Sequence, residues 1–226
     1  QIRLQWWREA IAGIYIGKPP AHAVVRALAD AVERCNPSRV RFDRLIDARE
    51  FDLEDRQPNT VEDLIVYADA TSGELTSLTL EMLGACDDIT LTKGRHAGVV
   101  WALNGLLRAI PFHAAQRRCF LPKSLTDKYD ISIDKLYEGN PDNNLVHAVL
   151  ELATVAAHHL VQAQDDRYEM EIIARPAFSC LTVVAADLKK LQKAGFDVYS
   201  VLPMGPLRRR WLLSTAISWR NLIGRV

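Results

Sequence analysis

A chain of 226 residues, 49% hydrophobic and 25% charged, is long enough to bury one sizeable core and carries no sign of a second domain. Lys and Arg number 28, as do Asp and Glu, so a net charge of zero excludes a whole-protein field that gathers nucleic acid or acidic substrates. Cys35, Cys86, Cys119 and Cys180 are scattered singly with no Cys-x-x-Cys pair, which argues against a zinc site or disulfide framework and fits a reducing compartment.

The chain opens at Gln1 inside a helical pattern, without a methionine or a signal-peptide core, and reads as part of a longer protein, N-terminally incomplete. Ile2, Trp6, Ala10 and Ile14 form one helical stripe, with Leu4, Trp7, Ile11 and Tyr15 beside it. Gly17 and Pro19-Pro20 stop this helix, His22 to Arg34 is the next, and the turn Asn36-Pro37-Ser38 caps a third that runs to about Asp52. Thr60, with Glu62 and Asp63 behind it, caps a long helix through Tyr67, Leu75, Leu78 and Met82 to Gly84, slightly relaxed at Gly73. Further helices are expected over 94–110, ended by Pro111, and over 144–164, 178–194 and 207–223. Ile172-Ile173 before Pro176 is the best strand candidate in a chain poor in alternation. The expected class is all-α, one bundle spanning 1–226.

Charged and nucleophilic groups have bland readings. Asp43 and Asp47 are four apart on a helix with Glu50 and Asp52 following, a face that could hold a metal or pair with Arg44 and Arg49; pairing is simpler. Asp165, Asp166 and Glu169 imitate a metal motif, but Arg167 and Tyr168 lie among them at a helix end, which makes loop charge the better reading. His158 and His159 point to different helix faces and no His-x-x-x-His pair exists, so no zinc site is expected. No Gly-x-Ser-x-Gly elbow supports nucleophilic catalysis, and Trp6, Trp7 and Trp101 read as core. From Gly205 to Val226 there is no acid, and Arg208, Arg209, Arg210, Arg220 and Arg225 interleave with Trp211, Leu212, Leu213, Ile217 and Trp219. That pattern fits an anionic-membrane or partner-docking surface, and equally a last core helix with its arginines in water.

Three stretches in register resemble the squalene/phytoene synthase family: RLQWWREAIAGIYIGKPPAHAVVRAL from Arg3, FDRLIDAREFDL from Phe42 with YADATSGEL from Tyr67, and HAGVVWALNGLLRAIPFHAAQRRCFLP from His96. The last ends on an Arg-x-Tyr-Leu-Pro-like element, Arg118 to Pro122. The resemblance implies an isoprenoid-synthase-type helical bundle with a central cavity. Active members hold magnesium on two Asp-rich helices to neutralise a departing diphosphate. The first such helix would lie upstream of Gln1. On the second, the family pattern is roughly Asn-Ile-Leu-Arg-Asp-Val-x-x-Asp. Here Arg108 is kept, Gly105 takes the asparagine position, and Ala109 and His113 take the aspartates. Neither suits magnesium.

These departures are similar to those of the family's mitochondrial complex I assembly-factor branch and its bacterial relatives, as are Phe196 to Tyr199 and Ser218 to Arg220. The resemblance to that branch implies a protein with no catalytic residue, metal or cofactor. It would assist a respiratory or other mitochondrial assembly through protein partners, without binding nucleic acid directly. Its place would be the mitochondrial matrix or inner membrane surface, or the cytoplasm of a bacterium. A remnant pocket would comprise Asp47, Arg49, Asp52, Tyr67, Arg108, Ala109, His113 and Arg118, with Asp47, Arg49 and Asp52 as a buried charge network kept for shape. The helices carrying Arg108 and Asp47 would face each other across it. Docking would use Arg208, Arg209, Arg210, Trp211, Trp219 and Arg220. The competing readings are a magnesium-dependent prenyltransferase condensing isoprenoid diphosphates and a binder of lipid or isoprenoid.

Overall fold

Local capping signals set several of the helix ends in the computed structural model, which describes residues 2–54, 56–165, 170 and 172–201. The expected helix at 207–223, the arginines and tryptophans named with it, and Asp166 and Glu169 lie outside the described residues. Helix α1 (Ile2–Tyr15) stops at Gly17, whose φ of 73° is left-handed, and α2 (Ala23–Cys35) closes on left-handed Asn36, whose N–H bonds to the Val32 carbonyl. Helix α3 (Arg39–Ala48) is shorter than expected. Its continuation to Leu53 tightens into a 3₁₀ turn over Arg49–Leu53, where Arg49 and Asp52 are drawn to Tyr67.

Helix α4 (Val61–Ala68) begins with a capping box: Thr60 Oγ1 accepts from the Asp63 N–H at 3.1 Å, and Asp63 Oδ2 accepts from the Thr60 N–H at 3.1 Å. The long helix expected from here to Gly84 is interrupted by a π turn at Asp69–Gly73 before α5 (Glu74–Leu83). The slight relaxation at Gly73 is thus a wider turn. A crossing helix presses against it, since a methyl group at Gly98 would overlap the Ser72 carbonyl.

That crossing helix, α6 (Asp88–Ala115), is capped by Asp87 and runs through Pro111 rather than ending there. A proline inside a helix removes one hydrogen bond and costs about 3 kcal/mol. Leu107, Ile110 and Ala114 are buried on both sides of it, and their packing holds the last turn. The helix ends where the Gln116 and Arg118 N–H groups both donate to the His113 carbonyl at 2.9 Å, with Arg117 left-handed at φ 53°. Two short helices without a clear sequence signal follow, α7 (Lys123–Lys128) and α8 (Ile133–Tyr137), then α9 (Leu145–Gln164) and α10 (Cys180–Lys193). The strand candidate Ile172-Ile173 lies instead in a 3₁₀ helix, Ile172–Phe178, whose backbone admits Pro176; no strand occurs among the described residues.

Helix α6 is the axis of the bundle and packs on α9, α5, the π turn, α4 and α10. By length and composition α9 could cross a membrane, yet Ala148, Val149, Leu152 and Ala156 lie in the core. A second, smaller cluster joins Ile11 and Ile14 of α1, Val25 of α2 and Phe42 of α3 to Leu78 of α5. An ion-pair set ties α3 to α5. Glu74, its side chain 3% exposed, accepts from Arg41 at 2.7 Å and Arg44 at 3.2 Å, while Arg41 also reaches Glu81 at 2.6 Å.

Candidate functional site

The 3₁₀ turn after α3, the end of α4 and the loop after α6 converge on Asp52. Tyr67 donates its hydroxyl proton to Asp52 Oδ1 at 2.6 Å, and Arg49 Nη1 donates to Asp52 Oδ2 at 3.1 Å and to the Tyr67 oxygen at 3.3 Å. From the far side Arg118 Nη2 donates to the Asp52 backbone carbonyl at 2.8 Å. Beneath lies an aromatic layer: Phe51 is 5.2 Å from Tyr67 and 6.3 Å from Phe120, and the Arg118 guanidinium sits 5.2 Å over Phe120. His113 packs at 4.8 Å against Phe120, its Nδ1 buried without a hydrogen-bond partner. Burial first, and then the Arg118 charge, hold this imidazole below the usual histidine range. Burial also pushes the Tyr67 phenol well above its ordinary range, helped by the adjacent Asp52 carboxylate.

The fold therefore brings together Arg49, Asp52, Tyr67, His113 and Arg118, while Asp47 and Arg108 pair with residues outside this set. Asp47 is 64% exposed in its side chain and pairs with Arg8 of α1 at 2.8 Å, so it belongs to no buried network. Glu50 shares the same arginine, Asp43 pairs with Arg39 at 3.4 Å, and Arg44 turns to Glu74. The carboxylate face is thus ion-paired: Asp52 to its own Arg49, and Asp43, Asp47 and Glu50 to Arg39 and Arg8. Arg108 Nη1 lies 3.4 Å from Asp187 of α10, which also accepts from Asn104 Nδ2 at 3.1 Å. Ala109 sits half-buried one turn before His113. Asp187 and Asn104, both buried, carried no signal in the sequence, because a contact between residues 83 apart leaves no local pattern.

Two open grooves flank the hub. One, of about 620 Å³, is lined by Asp52, Arg56, Gln57, Arg117, Arg118 and Tyr137; the other, of about 520 Å³, lies over Asp47, Phe51, Pro58, Val66, Tyr67 and Ala70. Between α4, α6 and α9 a crevice lined by Leu64, Leu103, Leu107, Ile110 and Leu152 holds about 10 Å³, room for one water at most. The α6 positions 105, 109 and 113 offer glycine, alanine and imidazole, and Asp52 is already engaged by Tyr67 and Arg49. Hard magnesium, which takes carboxylate and water oxygens, does not fit this donor set. No cluster of three His, Cys, Asp or Glu suited to a metal occurs among the described residues.

An all-helical bundle built on one long axial helix, with a polar hub at that helix's C-terminal end, is an isoprenoid-synthase-type fold. The crystal structure of a dehydrosqualene synthase in complex with ligand superposes with a TM-score of 0.80 at 20% identity, covering 97% of this chain and 78% of that one. The chain belongs to the squalene/phytoene synthase family, whose model matches residues 1–216. Among curated proteins it is 32% identical over 198 residues to NADH dehydrogenase (ubiquinone) complex I, assembly factor 6, of Rattus norvegicus, covering 88% of this chain. It thus spans 60% of the length of that relative. Presqualene diphosphate synthase of Rhodopseudomonas palustris is 30% identical over 134 residues, 57% of this chain and 46% of that protein.

Proposed function

We propose that the chain is a non-catalytic member of its family that assists the assembly of respiratory complex I, acting by protein contact in the mitochondrial matrix or at the inner membrane surface. In a bacterium the same role would be cytoplasmic. The observation that carries this reading is the likeness to complex I assembly factor 6 across 88% of the chain. The chemistry of α6 agrees with it: at 105, 109 and 113 no side chain can hold magnesium for a diphosphate. In this reading Arg49, Asp52, Tyr67, His113 and Arg118 keep the shape of a former pocket, and no cofactor is used. The C-terminal residues Arg208, Arg209, Arg210, Trp211, Trp219 and Arg220 would dock the protein on an anionic membrane or a partner. Cells lacking the endogenous assembly factor 6 test the reading, with complex I read on native gels. Expression of a protein containing this chain should restore the complex, and no restoration would count against it.

The likeness to presqualene diphosphate synthase favours a second reading, a magnesium-dependent prenyltransferase. Incubation with labelled farnesyl or geranylgeranyl diphosphate and magnesium separates the two. A squalene-like or phytoene-like product would establish the enzyme and remove the argument from Ala109 and His113.

A further inference from the structure

The seam between α6 and α9 carries a histidine pair that the Asp52 hub does not use. His96 Nδ1 lies 2.9 Å from His159 Nδ1, with ring centroids 5.0 Å apart and both rings half-buried. Two Nδ1 atoms at that distance form a hydrogen bond only when one carries a proton and the other offers its lone pair. The contact therefore holds a single proton, and a second would set two N–H groups and two positive charges against each other.

The charged groups facing the pair come from three elements. Asp69 of the π turn is bonded to Arg95, the neighbour of His96 on α6, through Nε at 2.9 Å. His158, exposed on α9, has its ring 6.1 Å from that of His159. Asp69 favours a proton on either ring; Arg95 opposes one on His96, and His158 opposes one on both. Burial outweighs these and holds both histidines below their ordinary range. No group of three or more His, Cys, Asp or Glu suited to a metal includes them among the described residues.

We propose that His96 and His159 form a proton-sharing clasp that binds α6 to α9 at neutral pH and releases when both rings are protonated. The seam it closes is the core contact of Leu103, Leu107, Ala148 and Leu152, and the π turn rests on the same stretch of α6. Because the folded pair takes up protons less readily than free histidine, the unfolded chain binds more protons once pH falls below about 6.5. The clasp's contribution is complete above that pH and declines through the window beneath it. His113 titrates in the same direction for its own reasons, so its share has to be subtracted.

Thermal melts of the full chain between pH 8 and 5 test this in wild type, His96→Gln/His159→Gln, His113→Gln and His158→Gln. Wild type should lose stability on acidification with about one more proton taken up on unfolding than the double variant. His158→Gln should retain most of the wild-type slope. Equal slopes in wild type and the double variant overturn the clasp. If the double variant does not fold, ¹⁵N imidazole spectra of wild type decide: two midpoints separated by more than about one pH unit support a shared proton, and independent coincident curves refute it.

Discussion

Removing the carboxylate of Glu74 while keeping its shape is the sharpest perturbation of the scaffold, because Glu74→Gln leaves two arginines facing a neutral amide. The side chain is 3% exposed and sits 2.7 Å from Arg41 and 3.2 Å from Arg44. Breaking a buried pair from one side costs about 3–5 kcal/mol. Two features lower that figure. Arg41 keeps Glu81 at 2.6 Å, and Arg44, 61% exposed, can turn into water. The expected loss is therefore about 2–3 kcal/mol, which for a chain of this size lowers the melting temperature by roughly 4–12 °C. Urea titration should show a lower midpoint at an unchanged slope. Arg44→Gln is the matched control and should cost less than about 1 kcal/mol, as exposed pairs do. If Glu74→Gln melts within about 2 °C of wild type, or the control costs as much, the set is solvated and the tie between α3 and α5 rests on apolar packing alone.

Gly98→Ala should destabilise by about 1–3 kcal/mol in urea titration, because the obstacle is the Ser72 backbone and not a side chain that can swing away. Gly105→Ala, seven residues on with open space around it, should hold or raise stability by about 0.5–1 kcal/mol. Tyr67→Phe removes the hydroxyl bonded to Asp52 at 2.6 Å and should cost about 1 kcal/mol, with helical content by circular dichroism unchanged. Pro111→Ala should raise the melting temperature, since α6 continues through this residue; a fall would mean that the ring's packing outweighs the missing hydrogen bond.

What could be read in the sequence was what is decided within a turn or two of chain. Thr60 with Asp63, Asn36 and Gly84 are end signals whose physics is local, and a helix ends at each, although the helix expected between Thr60 and Gly84 is broken by the π turn. Pro111 misled for the same reason: its local effect is to stop a helix, and burial of Leu107, Ile110 and Ala114 from outside the segment overrules it. The π turn had only Gly73 as a local trace, and its close contact with Gly98 lies on another helix. At the hub, Arg49, Asp52, Tyr67, His113 and Arg118 were legible as a group through the family pattern. The Arg49–Asp52 pair was legible too, but the bonds of Tyr67 and Arg118 to Asp52 were not, nor was the contact of Arg108 with Asp187. The partners of Tyr67, Arg118 and Arg108 lie on different elements, at separations no periodicity encodes.

The hub's bonding bears on what the site can do. A pocket that binds a metal-bridged diphosphate keeps carboxylates free of other obligations and cations turned toward the ligand. Here the opposite holds at nearly every position. Asp52 accepts from Tyr67 and Arg49, Arg118 is committed to a backbone carbonyl and to the face of Phe120, and Arg108 lies against Asp187. To admit such a ligand the hub would have to give up at least three hydrogen bonds, each worth on the order of 1 kcal/mol, and still supply oxygens that Ala109 and His113 do not possess. The same bonds do something useful for a protein that works by contact. They join the turn after α3, the end of α4 and the loop after α6, and such cross-links lower the entropy lost on meeting a partner. The hub's hydrogen bonds are therefore spent among its own residues, with Ala109 and His113 beside them in place of carboxylates.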